Sequence, residues 1–140
     1  MSNQGKSGAI VRSSEITPRE RGGGARTTPL VTRRVGSTSL INGITAFEGG
    51  AEIPQHKHNC EESVLVLEGR AIAVIDGVEH ALGPLGTTWI AADVPHCFKN
   101  ASASEPMRIF WTYASVDATR TLIATGETRT IDAEHGAGGP

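Results

Sequence analysis

GAEIPQHKHNCEESVLVLEG, residues 50–69, is the stretch that decides how the chain is read. It sets His56 and His58 one residue apart and Glu62 four residues beyond the second of them. Side chains alternate between faces along an extended strand, so residues two apart look the same way and converge on one point. Lys57 then faces the other way. The run Val64–Leu67 reads as a second strand, and a turn through Asn59, Cys60 and Glu61 is expected to fold it back beside the first. That turn brings Glu62 to the two imidazoles. Glu61 is the competing carboxylate, but parity favours Glu62, because Val64 and Val66 then share its face and make a dry wall. Two neutral imidazoles and a carboxylate are a mixed donor set that suits a divalent first-row metal.

Outward from this stretch the chain consists of short apolar runs separated by turn residues. Pro29–Val35 and Ser39–Phe47 are rich in β-branched residues and are broken by Gly36 and by Glu48, Gly49 and Gly50, which reads as strands separated by turns. Downstream, Ala71–Ile75 and Val78–Leu82 flank Asp76 and Gly77, a strong signal for a two-residue hairpin. Gly83, Pro84, Leu85 and Gly86 make a further turn, in which proline presets its own φ and the glycines are free to take unusual angles. Thr87–Ala91, Cys97–Asn100 and Arg108–Ala114 follow as strands, with one more around Thr128–Ile131. No segment sustains an amphipathic helical period with caps.

A chain of 140 residues is one domain by length and buries enough surface for a core without disulfide staples. The element spacing is that of an all-β barrel or sandwich. Residues 1–27 read as a polar N-terminal arm, either mobile or a strand that settles against a partner subunit. Residues 28–115 form the barrel. Residues 116–140 are a C-terminal extension with one strand and a flexible glycine-rich tail. A long open strand edge invites aggregation, and pairing with a second copy removes it, so a homodimer is expected.

An all-β fold can supply a further ligand from a distant strand. The candidate is His96, in PLGTTWIAADVPHCFKN at residues 84–100, where Pro95 constrains the approach and Asn100 stands four residues later. With both blocks in view, the chain resembles a small single-domain cupin. The family's first motif, G-x5-HxH-x3-E-x6-G, is matched in full by Gly50, His56, His58, Glu62 and Gly69. Its second, G-x5-PxG-x2-H-x3-N with a variable spacer before the histidine, has its landmarks in Pro84, Gly86, His96 and Asn100. The spacer is long, and six residues rather than five separate Gly77 from Pro84, a departure that falls in a hairpin turn. The motifs and the strands between them cover about residues 50–100, and flanking strands extend the likeness to roughly 28–115.

What the resemblance implies is a double-stranded β-helix, or jelly-roll barrel, with one divalent ion held near its centre by His56, His58, Glu62 and His96. Iron, manganese, nickel, zinc and copper are all family metals. Three imidazoles and one carboxylate leave coordination positions open for substrate or oxygen. Glu62, the acidic member, is the candidate catalytic base. The same 3-His-1-Glu set occurs in quercetinase-type cupins, which tilts the expected activity towards a dioxygenase-like reaction on a small organic molecule. The competing expectations are a metal-dependent isomerase, lyase or decarboxylase, and a non-catalytic small-molecule sensor. The pattern is not the HxD/E triad of 2-oxoglutarate oxygenases.

The remaining chemistry-bearing residues have plainer readings. His80 on a hairpin strand and His135 in the tail are surface histidines. Asn100 ties down a turn. Trp111 and Tyr113 share a strand face and are assigned to core or subunit-interface packing ahead of pocket lining. Arg108 could meet a substrate carboxylate, although a solvated arginine is its ordinary use. Cys60 and Cys97 are read as a reduced structural pair.

The bulk numbers exclude other classes. A net charge of -2 offers no electrostatic case for nucleic acid, and no basic stretch is interleaved with aromatics. No apolar run approaches the length of a membrane span, and the first ten residues, MSNQGKSGAI, lack the apolar core of a signal peptide, so a cytoplasmic location is expected.

Overall fold

The computed structural model of the protein describes residues 7–134. In chain order its strands are β1 (Arg19–Gly22), β2 (Ala25–Pro29), β3 (Ile41–Phe47), β4 (His56–His58), β5 (Glu62–Glu68) and β6 (Ala71–Ile75). They continue with β7 (Val78–Leu82), β8 (Thr87–Ile90), β9 (His96–Asn100), β10 (Met107–Tyr113), β11 (Thr119–Leu122) and β12 (Thr128–Thr130). A single helical turn, α1 (Ile131–Glu134), ends the described chain. The strands form two antiparallel sheets, β1-β2-β3-β10-β5-β8 and β12-β11-β4-β9-β6-β7, which gives the all-β jelly roll expected for one domain. Among the described residues no helix is long and apolar enough to cross a membrane.

The period of two along β3, β5 and β10 places the core. Each strand buries alternate residues, as a sheet with one covered face requires. The buried set includes Ile41, Phe47, Val66, Phe98, Met107 and Ile109, each contributing roughly 1.5–3 kcal/mol relative to an exposed side chain. Strand β10 lies between β3 and β5, with Trp111 opposite Gly43 on one side and Val64 on the other. Gly43 is needed there, since a Cβ at that position would lie 2.5 Å from the Trp111 ring. The indole occupies the space a side chain would take.

Several local expectations are corrected. The strand expected at Pro29–Val35 instead ends at Pro29, and a 3-10 turn follows over Arg33–Val35. Thr32 caps that turn by accepting from the Arg34 N–H, and Gly36 closes it with φ 102°. Of residues 1–27, expected to be an arm or a swapped strand, Arg19–Gly22 and residues 25–27 pair within this chain, with Ala25 and Thr27 wholly buried. Gly22, which ends β1, and the two intervening glycines, Gly23 and Gly24, all have positive φ and make a tight turn. The Asp76-Gly77 hairpin forms as expected, with φ 51° and 82°. In the next turn the positive φ falls on Leu85 rather than on a glycine, at 71°, a placement that costs about 1–2 kcal/mol. Strand β11 was not anticipated at all. Its sequence, TRTL, has a polar surface and only four residues.

Candidate metal centre and active-site pocket

The turn through Asn59 to Glu61 does not fold β5 beside β4. It is a corner between sheets: β4 pairs with β11 and β9, whereas β5 pairs with β10 and β8. Asn59 holds the corner to the C-terminal extension, donating to the Asp117 carbonyl at 3.3 Å and accepting from the Thr119 N–H at 2.8 Å. The consequence is that Glu62 comes to the histidines from the opposite sheet.

His56 and His58 project from one face of β4, and His56 is directly opposite His96 on β9. All three are buried, and one ring nitrogen from each lies within 4.8 Å of the others. Each ring is fixed by its second nitrogen. Nδ1 lies 2.7 Å from the Pro54 carbonyl in His56, 2.9 Å from the Thr119 carbonyl in His58 and 2.9 Å from the Val94 carbonyl in His96. A carbonyl only accepts, so each Nδ1 carries the proton, and in the neutral ring Nε2 keeps its lone pair. This is the arrangement by which outer partners orient metal-binding imidazoles.

Glu62 Oε1 stands 2.8 Å from His96 Nε2 and 3.6 Å from His58 Nε2. All three atoms are buried without a hydrogen-bond partner. Unsatisfied buried polar atoms are costly. Three of them aimed at one point fit a divalent ion, and the donor types, nitrogen and oxygen, suit a first-row metal.

The electrostatics support neutral ligands at two of the three positions. Burial lowers the pKa of His56 well below the ordinary histidine value, with His96 and Arg120 adding to the effect. Burial also lowers that of His58, partly opposed by Glu62. At His96 burial again pushes downwards, but the adjacent Glu62 carboxylate outweighs it and the net shift is upwards.

The pocket beside this cluster is lined by Thr45, Ile53, Phe98, Ile109, Trp111 and Tyr113, together with Arg21 and Arg120. Trp111 and Tyr113 face inwards and are buried in the core, as expected, and they also line this pocket. Trp111 donates to Thr45 Oγ1 at 2.9 Å, and the Tyr113 ring lies 4.5 Å from that of His58. Tyr113 is opposite Glu62 in the sheet register, and burial raises its phenol pKa well above the usual value, so it stays protonated.

The other candidates fall outside the site. Glu61 is exposed and accepts from the Trp89 indole N–H at 2.6 Å. His80 is exposed on the edge strand β7, and His135 lies outside the described residues. Arg108 pairs on the exterior with Glu68 at 2.8 Å, so it is not the arginine that meets the pocket. Asn100 ties a turn, donating to the carbonyls of Glu48 at 3.0 Å and Glu105 at 2.7 Å. Cys60 and Cys97 are free thiols with pKa values raised by burial, and neither belongs to the histidine cluster.

Arg21, Arg120 and Glu134 were missed from sequence. Arg120 is directly opposite His58 in the register of β11 and β4, so recognising β11 would have shown its facing. Arg21 and Glu134 are separated by more than a hundred residues, and no local pattern joins them.

Comparison with known proteins agrees with this architecture. The family model described as "Cupin domain" matches residues 43–113. The chain is 33% identical over 102 residues to "Polyketide synthase CurC" of Streptomyces cyaneus, covering 72% of this chain and 66% of that protein. It is 32% identical over 76 residues to "Dimethylsulfoniopropionate lyase DddW" of Ruegeria pomeroyi, covering 54% of this chain and 49% of that protein. The match thus spans just under two thirds of the first relative's length and about half of the second's. Among solved structures, the polyketide cyclase RemF from Streptomyces resistomycificus superposes with a TM-score of 0.69 at 18% identity, covering 88% of this chain and 84% of that one. At that identity the likeness concerns the fold. With the family model matched over just over half of the 140 residues, and with the motif histidines gathered at the barrel's centre, the chain belongs to the cupin family.

Proposed function

We propose that this protein is a metal-dependent enzyme that abstracts a proton next to a carbonyl of a small, oxygen-rich organic molecule and so drives ring closure on a polyketide-type chain. The observation that carries the reading is the convergence of buried, partnerless Nε2 and Oε1 atoms on one point beside an aromatic wall. The names of CurC and RemF supply the substrate class.

His56, His58 and His96 would hold the ion, with Glu62 as the fourth ligand. A bound divalent ion supplies Lewis-acid polarisation of substrate carbonyl oxygens. Glu62 accepts the proton from the carbon between two carbonyls through the carboxylate oxygen that the ion would leave free. The resulting carbanion forms the new carbon–carbon bond with a carbonyl farther along the chain, whose oxygen then takes up a proton. Trp111 and Tyr113 hold the chain flat by stacking, and the closed barrel keeps water away. A homodimer joined at an open sheet edge is part of the same proposal, supported by exposed Trp89 on β8 and Val78 on β7.

The 3-His-1-Glu donor set also supports a dioxygenase-like reaction, and oxygen separates the two readings. Incubation of the metal-loaded protein with aryl-substituted polyketones under argon is expected to give cyclised product, at a rate unchanged on admitting air. Turnover confined to air, with stoichiometric oxygen uptake, would transfer the assignment to oxygenation.

Metal affinity is expected to depend on pH in two stages. The ligand imidazoles must be neutral, and His96 has the raised pKa, so its proton is the first to compete as pH falls. Apparent affinity should be level at high pH and then drop about tenfold per unit once pH falls below the raised pKa of His96. The slope should steepen at lower pH as His58 and His56, held lower, begin to charge. Competition with a chromophoric chelator between pH 8 and pH 4.5 measures this, and a flat profile would exclude the three-histidine assignment.

A further inference from the structure

Two arginines reach the pocket from opposite sheets, Arg21 from β1 and Arg120 from β11. Their side chains are only 15% and 9% exposed. A single carboxylate, that of Glu134, lies between them. Its Oε1 is 3.4 Å from Arg21 Nη2 and its Oε2 is 3.1 Å from Arg120 Nη1. Each oxygen of one delocalised anion therefore meets a separate guanidinium, the geometry in which a foreign carboxylate would be bound.

The arginines do not depend on Glu134 alone for their places. Arg21 Nη1 donates to Thr27 Oγ1 at 3.3 Å, Thr27 and Thr45 hydroxyls are 3.0 Å apart, and the Trp111 indole donates to Thr45. This buried chain runs from the arginine to the aromatic wall of the pocket. Arg120 is placed by its register opposite His58. Glu134 sits on the four-residue helix α1, which is held by buried Ile131, by the Ile131 N–H on the Ala118 carbonyl at 2.9 Å and by the Arg33–Asp132 ion pair at 3.3 Å.

Charge and space both require an exchange if a substrate is to enter. Two guanidiniums against one Glu134 carboxylate leave one positive charge in excess, and a divalent ion held beside Glu62 would leave another. The pocket as closed has a volume of about 20 Å³, room for one water or ion. An organic molecule needs more room than this, and Glu134, which bonds both pocket arginines from behind without itself lining the pocket, is the anion that a substrate oxyanion would replace.

We propose that Arg21 and Arg120 form an anion-binding subsite for a delocalised oxyanion of the substrate, a carboxylate or the enolate of a 1,3-dicarbonyl, and that Glu134 is its built-in occupant until substrate displaces it. The proposal rests on the reading that this pocket receives substrate, but it is silent on the reaction. The subsite gives the protein selectivity for anionic over neutral molecules of the same shape.

Titration calorimetry with benzoate, benzoylacetone above its enol pKa, and neutral benzamide tests it, on full-length protein both metal-loaded and chelator-treated. Glu134→Gln, which removes the competing charge, is expected to bind benzoate or the benzoylacetone enolate at least tenfold tighter than the unaltered chain. Arg120→Gln is expected to bind at least tenfold more weakly, with benzamide unchanged throughout. Which anion gains more identifies the source of the charge. Should Arg120→Gln not fold, Arg21→Gln takes its place. Unchanged anion affinity in Glu134→Gln, or equal changes for benzamide, would overturn the subsite. Because the gain is read with chelator-treated protein as well, its failure is separate from failure of the proton-abstraction chemistry, which only turnover reports.

Discussion

His96→Ala is expected to lower metal affinity by roughly two orders of magnitude, while His80→Ala leaves it unchanged. Binding free energies of about 10–16 kcal/mol for four-ligand structural zinc sites imply about 3 kcal/mol per ligand. His96 is also the only histidine of the cluster that comes from β9. His56 and His58 sit on one strand and cannot surround an ion alone. Removing the imidazole also frees Glu62 Oε1 from its neighbour at 2.8 Å, leaving a buried carboxylate beside a cavity. His80 lies exposed on β7 and touches none of this. Metal per chain after dialysis against a defined free-ion concentration is the measurement. Equal loss in both variants would indicate general destabilisation instead of a lost ligand. His96→Gln, which nearly conserves volume, distinguishes the two causes further: its melting temperature should lie above that of His96→Ala while its metal content stays low.

The second large effect is on turnover. Glu62→Gln is expected to reduce kcat by about 10²–10⁴, the range associated with a positioned general base. The amide has the shape of the carboxylate and keeps an oxygen for the ion, so metal content should fall far less than in His96→Ala. The two variants thus separate binding from chemistry: one loses the ion, the other keeps most of it and loses the proton acceptor. A Glu62→Gln protein with full metal and unimpaired turnover would remove the base from the mechanism. Glu61→Gln is the internal control, since that residue is exposed and bonded to Trp89.

The gathering of the candidate ligands was legible because its logic is local. HxH puts two imidazoles on one face whatever surrounds the strand, and the parity that joins Glu62 to Val64 and Val66 chose it over Glu61. The observed burial of β5 agrees, with Glu62, Val64 and Val66 all inward. The Asp76-Gly77 hairpin was legible for the same reason, since a turn that needs two positive φ angles announces itself in two adjacent residues. The expectation failed at the corner after His58. A sharp turn between two strands reads the same whether they pair or enter different sheets, and here the choice is made by Asn59 bonding to residues some sixty positions away.

The same division runs through the whole pocket. Local alternation and motif spacing are enough to name the four metal-ligand candidates and the all-β class, because a period of two acts within a few residues. Alternation does not say which of the two faces is inside. That phase is decided by how the sheets pack, so only the tertiary structure turned Trp111 and Tyr113 towards the pocket and left Arg108 outside. Packing alone also brought Arg21, Arg120 and Glu134 together from the first strand, the eleventh and the final turn, since a buried ion-pair cluster is chosen by three-dimensional proximity and charge balance, neither of which leaves a periodic trace along the chain.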